Sequence, residues 1–285
     1  MPEIIDGVKY ANEIQKEVSL DVKYIEEKYG IRPGLAVILV GEHPPSKIFV
    51  KMKEKACEEV GMHKEIYRLP ESTSEEELTK LIKKLNEKKN IHGIIVQLPL
   101  PKQINPNTVM ATISPEKDVD GLNPLNIGNL FLGEEELVPC APKGIIYLLD
   151  KLNIDVAGKQ VVVVGHSNLV GKPMAMMLLN RNATVTVCHI MTEDLKKHTR
   201  EADILIVGAG KKGLIKKDMV KDGVVIFDVG INRVDKKVYG DVDFDDVYQK
   251  TSFITPVPGG VGPMTVAMVL KNTIIAAKKI LNEKK

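Results

Sequence analysis

A chain of 285 residues suffices for one large domain or two ordinary ones, and 44% apolar residues supply a sizeable core. The charges nearly cancel, leaving +2, so no strongly basic surface argues for nucleic acid. No apolar run reaches the roughly 18 residues of a membrane helix, and "MPEIIDGVKYANEIQKEV" lacks the basic start and apolar centre of a secretory signal. The three cysteines, Cys57, Cys140 and Cys188, are far apart and odd in number, as expected of reduced thiols in a cytoplasmic protein. The six histidines are scattered without ligand spacing, so no metal is expected.

In chain order, "GLAVILVG" (34–41) reads as a buried strand and "SKIFVKMKEKACEEVG" (46–61) as a helix. At roughly 100° per residue, Ser46, Phe49, Met52, Ala56, Cys57 and Val60 share one arc of that helix. Lys53 is the one charged residue inside the arc, whereas Lys47, Lys51 and Lys55 flank or oppose it with Glu54 and Glu58. An inward lysine is desolvated, which lowers its pKa toward a value useful in proton transfer. The plainer reading is a lysine snorkelling over apolar surface.

"STSEEELTKLIKKLNEKKN" (72–90) carries a helix-start signature of Ser and Thr beside glutamates. "HGIIVQLPL" (92–100) is a second buried strand that ends on Gln97. Ligands bind beyond the carboxyl ends of strands in open α/β sheets, so Gln97 either faces a ligand or ties down its turn. "PEKDVDGLNP" (115–124) puts Asp118 and Asp120 in a loop, where an Asx turn is the plainer reading. The Gly-, Pro- and Asn-rich stretch 121–143 lacks a clear period and marks a domain boundary.

Beyond it, strands are expected at 159–165, 183–189, 202–210 and 223–232, the first two each followed by a helix. Strands apolar throughout and spaced by helices give an α/β fold with parallel sheets covered on both faces. "VVVVGHSNLVGKPMAMMLL" (161–179) is a strand, a turn with Gly165 and Gly171, and a helix. Such a turn brings backbone N–H groups and the positive helix end to a dinucleotide pyrophosphate. The end of the next strand, Cys188-His189-Ile190, has neither the acid that binds an NAD ribose nor the arginine that accommodates the NADP phosphate. The final segment, 265–285, is an amphipathic helix able to return to the first domain.

"GLAVILVGEHPPS", "VQLPLP", "PEKDVDG", "PCAPKG", "VVVGHSNLVGKP", "DVGIN" and "TPVPGGVGPMT" occur in this order. Through them the chain resembles, nearly end to end, the bifunctional methylenetetrahydrofolate dehydrogenase/methenyltetrahydrofolate cyclohydrolase family. The resemblance implies two α/β domains flanking a cleft, the second a Rossmann-type parallel sheet. The expected division is 1–138 plus 263–285 for the catalytic folate-binding domain and 139–262 for the dinucleotide domain. It also implies oxidation of 5,10-methylenetetrahydrofolate with a nicotinamide cofactor, hydrolysis of the methenyl product to 10-formyltetrahydrofolate, and a homodimer.

Carried over residue by residue, Lys53 matches the catalytic lysine, Gln97 its partner and Asp120 the aspartate that binds the pterin. Phe49, Pro258, Gly259, Gly260 and Thr265 fall at substrate-binding positions, and Gly165, His166, Ser167, Gly171, Ile190 and Ile231 at cofactor positions. Two departures stand out. Phe49 occupies a position where the family usually has tyrosine, which leaves open a dehydrogenase with impaired cyclohydrolase. His166 and Ile190 stand where many relatives have arginine and serine near the 2′-phosphate, so family habit implies NADP while NAD stays open. A non-catalytic folate- or nucleotide-binding protein on the same fold is the reading from another class.

Overall fold

The computed structural model describes residues 2–235 and 237–282. The chain packs into two compact units. The first comprises Asn12–Cys140 and the residues from Val266 onward; the second comprises Ala141–Thr265 and the residues up to Ala11. After the short strand β1 (Glu3–Ile4) comes helix α1 (Gly7–Tyr29). Then follow β2 (Gly34–Val40), α2 (Pro44–Val60), β3 (His63–Leu69), α3 (Glu75–Glu87), β4 (Gly93–Val96), α4 (Pro106–Thr112) and α5 (Pro124–Phe131).

In the first unit, β3-β2-β4 form a parallel sheet, with Val37 opposite both Ile66 and Ile95. Every residue of β2 is buried, as a central parallel strand covered on both faces requires. One side packs Ala36, Ile38, Val40, Ile94 and Val96 against Leu78, Ile82 and Leu85 of α3. Each such aliphatic side chain contributes roughly 1.5–3 kcal/mol relative to exposure. The start of α3 is a capping box: the Glu77 N–H donates to Ser74 Oγ at 3.2 Å, and the Ser74 N–H to Glu77 Oε2 at 2.8 Å. Its far end is closed by buried Lys117, whose Nζ donates to the carbonyls of Leu85, Asn86 and Lys88 at 3.3, 2.7 and 2.8 Å. That lysine fixes the turn leading to Asp118 and Asp120. Strand β3 escapes the sequence pattern because "HKEIYRL" is a half-buried edge strand without an apolar run. The stretch read as irregular around 121–143 contains α5, which Asn123 caps by accepting from the Leu125 N–H at 2.8 Å.

The second unit continues from α6 (Cys140–Lys151) through β5 (Gln160–Val164), α7 (Gly171–Leu179), β6 (Thr184–Cys188), α8 (Leu195–Thr199), β7 (Ile204–Val207) and β8 (Val224–Asp228). A ribbon of β9 (Asn232–Val234) and β10 (Lys237–Tyr239) follows, then α9 (Phe244–Val247), β11 (Thr251–Ile254) and α10 (Val261–Asn282). Its sheet is wholly parallel, in the order β1-β11-β8-β7-β5-β6. The chain leaves β5 toward β6 on one side and later returns to place β7 on the other. That reversal is the topological switch point of a Rossmann-type sheet.

Two boundaries differ from expectation. Residues up to Ala11 join the dinucleotide-type unit because Glu3 and Ile4 pair with Phe253 and Ile254 of β11. The long apolar run "GVVIFDVGIN" ends its strand at Asp228, and Asn232 opens the β9/β10 ribbon instead. The carboxyl-terminal helix counts with the first unit from Val266, which makes that unit discontinuous. Among the described residues no helix is long and apolar enough to cross a membrane.

Candidate active site

Helix α2 buries Ser46, Val50, Lys53, Ala56, Cys57 and Val60, with Lys53 only 5% exposed. The wheel therefore places Lys53 correctly, while Met52 lies at the rim of the arc and is 38% exposed. Lys53 Nζ donates to Gln97 Oε1 at 2.9 Å. The same amide donates through Nε2 to the Leu98 carbonyl at 3.0 Å, so Gln97 both ties its turn and receives the lysine. The orientation follows from charge: an ammonium takes the oxygen end and leaves the N–H end for a carbonyl. Ser46 Oγ donates to the same Leu98 carbonyl at 3.1 Å, gripping the turn from the start of α2. Half-buried Phe49 lies one turn before Lys53.

Asp120 is half-buried in the turn after the 3₁₀ segment Pro115–Lys117. Burial pushes its pKa up, and attraction to Lys53 and a hydrogen bond from the Cys140 thiol oppose that rise. Lys53, Gln97 and Asp120 are thus one electrostatic group. Asp118 is different. Its Oδ2 accepts from the Asn123 N–H at 2.7 Å and from Asn126 Nδ2 at 2.9 Å, the turn-holding role that was the plainer reading. Burial raises Asp118 to about 6. Cys57, one turn beyond Lys53, is pushed up to about 12 by burial and is inert as a nucleophile.

In the second unit, Gly165 follows β5 with φ +124°, and a Cβ there would meet the Gly208 carbonyl oxygen at 2.3 Å. Gly208 follows β7, so the two turns that flank the switch point run against each other. A Cβ on Gly171 would meet the Gly165 carbonyl oxygen at 2.0 Å. Helix α7 thus starts hard against the turn, and Val170 provides no side-chain cap. The exposed Ser167 Oγ accepts from the Val170 N–H at 3.1 Å. These features fit a dinucleotide: side-chain bulk is excluded where a pyrophosphate must approach, at the N-terminus of a helix. His166 lies with its ring centroid 5.0 Å from that of His189, at the ends of β5 and β6. Ile190 is 90% exposed and Ile231 43% exposed.

Pro258 is exposed, Gly259 adopts φ +106°, and buried Gly260 lies so close to α1 that a Cβ on Gly7 would meet its carbonyl oxygen at 1.9 Å. Thr265 Oγ1 donates to the Val261 carbonyl at 3.2 Å. These residues belong to the second unit, with the cofactor-type turn. Among the described residues, no group of three or more metal-ligating His, Cys, Asp or Glu side chains gathers. Asp228, Asp241 and Asn232 were not foreseen as a group. Only "DVGIN" hinted at the first and third, and Asp241 lies in a polar segment with no period.

Residues 5–120 match the family description "Tetrahydrofolate dehydrogenase/cyclohydrolase, catalytic domain", and residues 139–281 match its "NAD(P)-binding domain". The chain belongs to this family. The folate dehydrogenase/cyclohydrolase match is dense: the chain is 56% identical to the bifunctional protein FolD of Methanosarcina mazei, across 98% of this chain and 97% of that protein. It is also similar to the crystal structure of the bifunctional FolD enzyme from Campylobacter jejuni, with TM-score 0.96 and 49% identity over 98% and 100% of the two chains. The Trypanosoma brucei FolD structure, complexed with NADP cofactor and inhibitor, superposes with TM-score 0.95 at 39% identity, covering 99% of each chain. Lys53, Gln97 and Asp120 lie in the match to the family's catalytic domain, and Gly165 and Gly171 in the match to its NAD(P)-binding domain.

Proposed function

We infer that this chain oxidises 5,10-methylenetetrahydrofolate to the methenyl form and then hydrolyses that product to 10-formyltetrahydrofolate. The observation that carries the hydrolytic half is the buried Lys53 held at 2.9 Å by an uncharged amide. Hydrolysis adds water to the bridge carbon, removes a proton from that water and delivers one to the ring nitrogen that leaves. Lys53 is the group that moves these protons. A carboxylate partner would lock it as an ion pair; Gln97 holds its position and leaves the proton mobile. Asp120 accepts from the N–H edge of the pterin and sets the bridge carbon beside Lys53. Phe49 supplies an apolar wall and no hydroxyl, so the proton transfers do not depend on an aromatic hydroxyl at this position.

A bound nicotinamide cofactor supplies the hydride acceptor. The Gly165–Gly171 turn holds its pyrophosphate. NADP is the better fit: the end of β6 offers no acid to a ribose hydroxyl, Lys172 provides positive charge for a phosphate, and His166 and His189 offer ring nitrogens able to hydrogen-bond it. Pro258, Gly259, Gly260 and Thr265 border the substrates. A homodimer forms through β6, an edge strand whose Val187, like Leu179 of the preceding helix, is more than a third exposed. The cytoplasm is the compartment that suits three buried free thiols. Absorbance of methenyltetrahydrofolate tests the reading. Formation with NADP followed by accelerated decay is expected; absence of both would reject it in favour of a binding protein.

A further inference from the structure

Among the described residues, the second unit contains two buried carboxylates with no cationic partner among their hydrogen-bond donors. Asp241 is 0% exposed and Asp228 3% exposed. Asp241 Oδ2 accepts from the Ala209 and Gly210 N–H groups at 2.6 and 2.7 Å, and its Oδ1 accepts from Asn232 Nδ2 at 2.7 Å. Asp228 Oδ1 accepts from the Gly230 and Asp241 N–H groups at 2.9 and 3.0 Å, and its Oδ2 from the Val242 N–H at 2.9 Å. The backbone closes tightly around both. A Cβ on Gly230 would lie 2.3 Å from Asp241 Cγ, and one on Gly240 1.8 Å from Asp228 Oδ2.

Burying two adjacent carboxylates is costly. The choice becomes intelligible from what the carboxylates hold. Residues 208–210 follow β7 and residues 229–231 follow β8, both at the carboxyl edge of the sheet beside the switch point. Ala209, Gly210 and Ile231 are exposed although their neighbours are anchored. Ile231 sits between Gly230, bonded to Asp228, and Asn232, bonded to Asp241. Lys212 Nζ lies 3.5 Å from the centroid of the Tyr239 ring, and the Gly213 N–H reaches the Gly240 carbonyl at 3.3 Å, so the ribbon also grips the far end of the first turn. In a doubly wound sheet the adenosine half lies toward the β5/β6 side and the nicotinamide half crosses toward β7 and β8.

We propose that Asp241, set in place by Asp228 and Asn232, is a positioning residue for the nicotinamide half of the cofactor, fixing the two turns that meet it and presenting Ile231. The inference rests on the dehydrogenase reading above. A carboxyl side chain can accept through both of its oxygens, as this position requires. An amide accepts at one end and donates at the other, so Asp241→Asn sets N–H against N–H, either at Ala209 and Gly210 or at Asn232.

The enzyme itself supplies the control, because hydrolysis of added methenyltetrahydrofolate consumes no cofactor. In Asp241→Asn, the KM for NADP in the dehydrogenase assay and the Kd for NADP by titration are expected to rise about 10–100-fold, as for loss of a charged hydrogen-bonding group. The kcat/KM for hydrolysis is expected to stay within about two-fold of the wild type at the same pH. Asn232→Ala, which removes one of the three bonds to Asp241, gives the same split with a smaller rise and decides the matter if Asp241→Asn does not fold. Equal losses in both activities would reduce these residues to structural ties and overturn the proposal, as would an unchanged KM for NADP in folded Asp241→Asn. A wild type lacking both activities would instead remove the dehydrogenase reading on which the proposal rests.

Discussion

The two units treat buried charge in opposite ways. In the first, Lys53 is held by a neutral side chain, Gln97, with Asp120 attracted to it. In the second, Asp228 and Asp241 are bound mainly by backbone N–H groups, with Asn232 the one side chain among the described residues that donates to either. A side-chain amide holds the ammonium nitrogen in place without an opposing formal charge in the hydrogen bond. A ring of backbone donors fixes a carboxylate and, through it, the backbone. On the proposed function, the difference separates a group arranged for chemistry from groups arranged for shape. Asp118 shows that the first unit uses the second device as well: it holds the Asn123 turn and is raised to about 6, as Asp228 is.

The sharpest way to break the comparison is to disable one unit and read the other. Gly165→Val places side-chain atoms against the Gly208 carbonyl at a φ of +124°. Dehydrogenase kcat/KM for the cofactor is expected to fall by more than about 100-fold, while hydrolysis of supplied methenyltetrahydrofolate persists. Parallel initial-rate assays check this, and joint loss in a folded protein would contradict a separable cofactor turn.

A second test concerns Asp118. Its pKa rises from 3.8 unfolded to about 6 folded, so the native state holds the proton more tightly. The ionised form therefore costs stability above about 6, and that cost disappears as pH falls from about 6 through 3.8. The stability of the wild type relative to Asp118→Asn should therefore rise on acidification, by on the order of 3 kcal/mol across the window. Urea unfolding of both proteins between pH 7 and 4 measures this. A pH-independent difference would remove burial of the charge as the cause.

The smallest effect is expected at Phe49. Phe49→Tyr adds a hydroxyl beside a lysine already held by Gln97, and hydrolysis should change by less than about five-fold, with the dehydrogenase rate unaffected. A larger gain would mean that the missing hydroxyl limits this enzyme.

Much of this architecture was legible in the sequence for identifiable reasons. Strands β2, β4 and β7 are buried along their length, as is β5 beyond its first residue Gln160, and all four read as apolar runs. Lys53 was legible because a single charge on an apolar helical arc breaks the period. The edge elements were not. Strand β3 is half-buried, β1 is a two-residue strand with both residues exposed, and β11 begins with Thr and Ser. Their pairing is set by the neighbouring strand rather than by their own pattern. The Asp228–Asp241 group was hidden for a related reason: its partners are mainly backbone N–H groups brought together from positions 209, 210, 230, 241 and 242. Side-chain spacing carries no record of such donors.

The most direct measurement replaces Lys53 with methionine, which keeps the apolar stem and removes the proton carrier. Decay of added methenyltetrahydrofolate is followed by absorbance, and NADP binding is titrated in the same preparation. General acid–base catalysis contributes about 10²–10⁴-fold, so decay should fall by that factor to near the uncatalysed rate, with NADP affinity unchanged. Decay that stays fast in Lys53→Met would contradict the role assigned to this lysine and, with it, the account of the hydrolytic half.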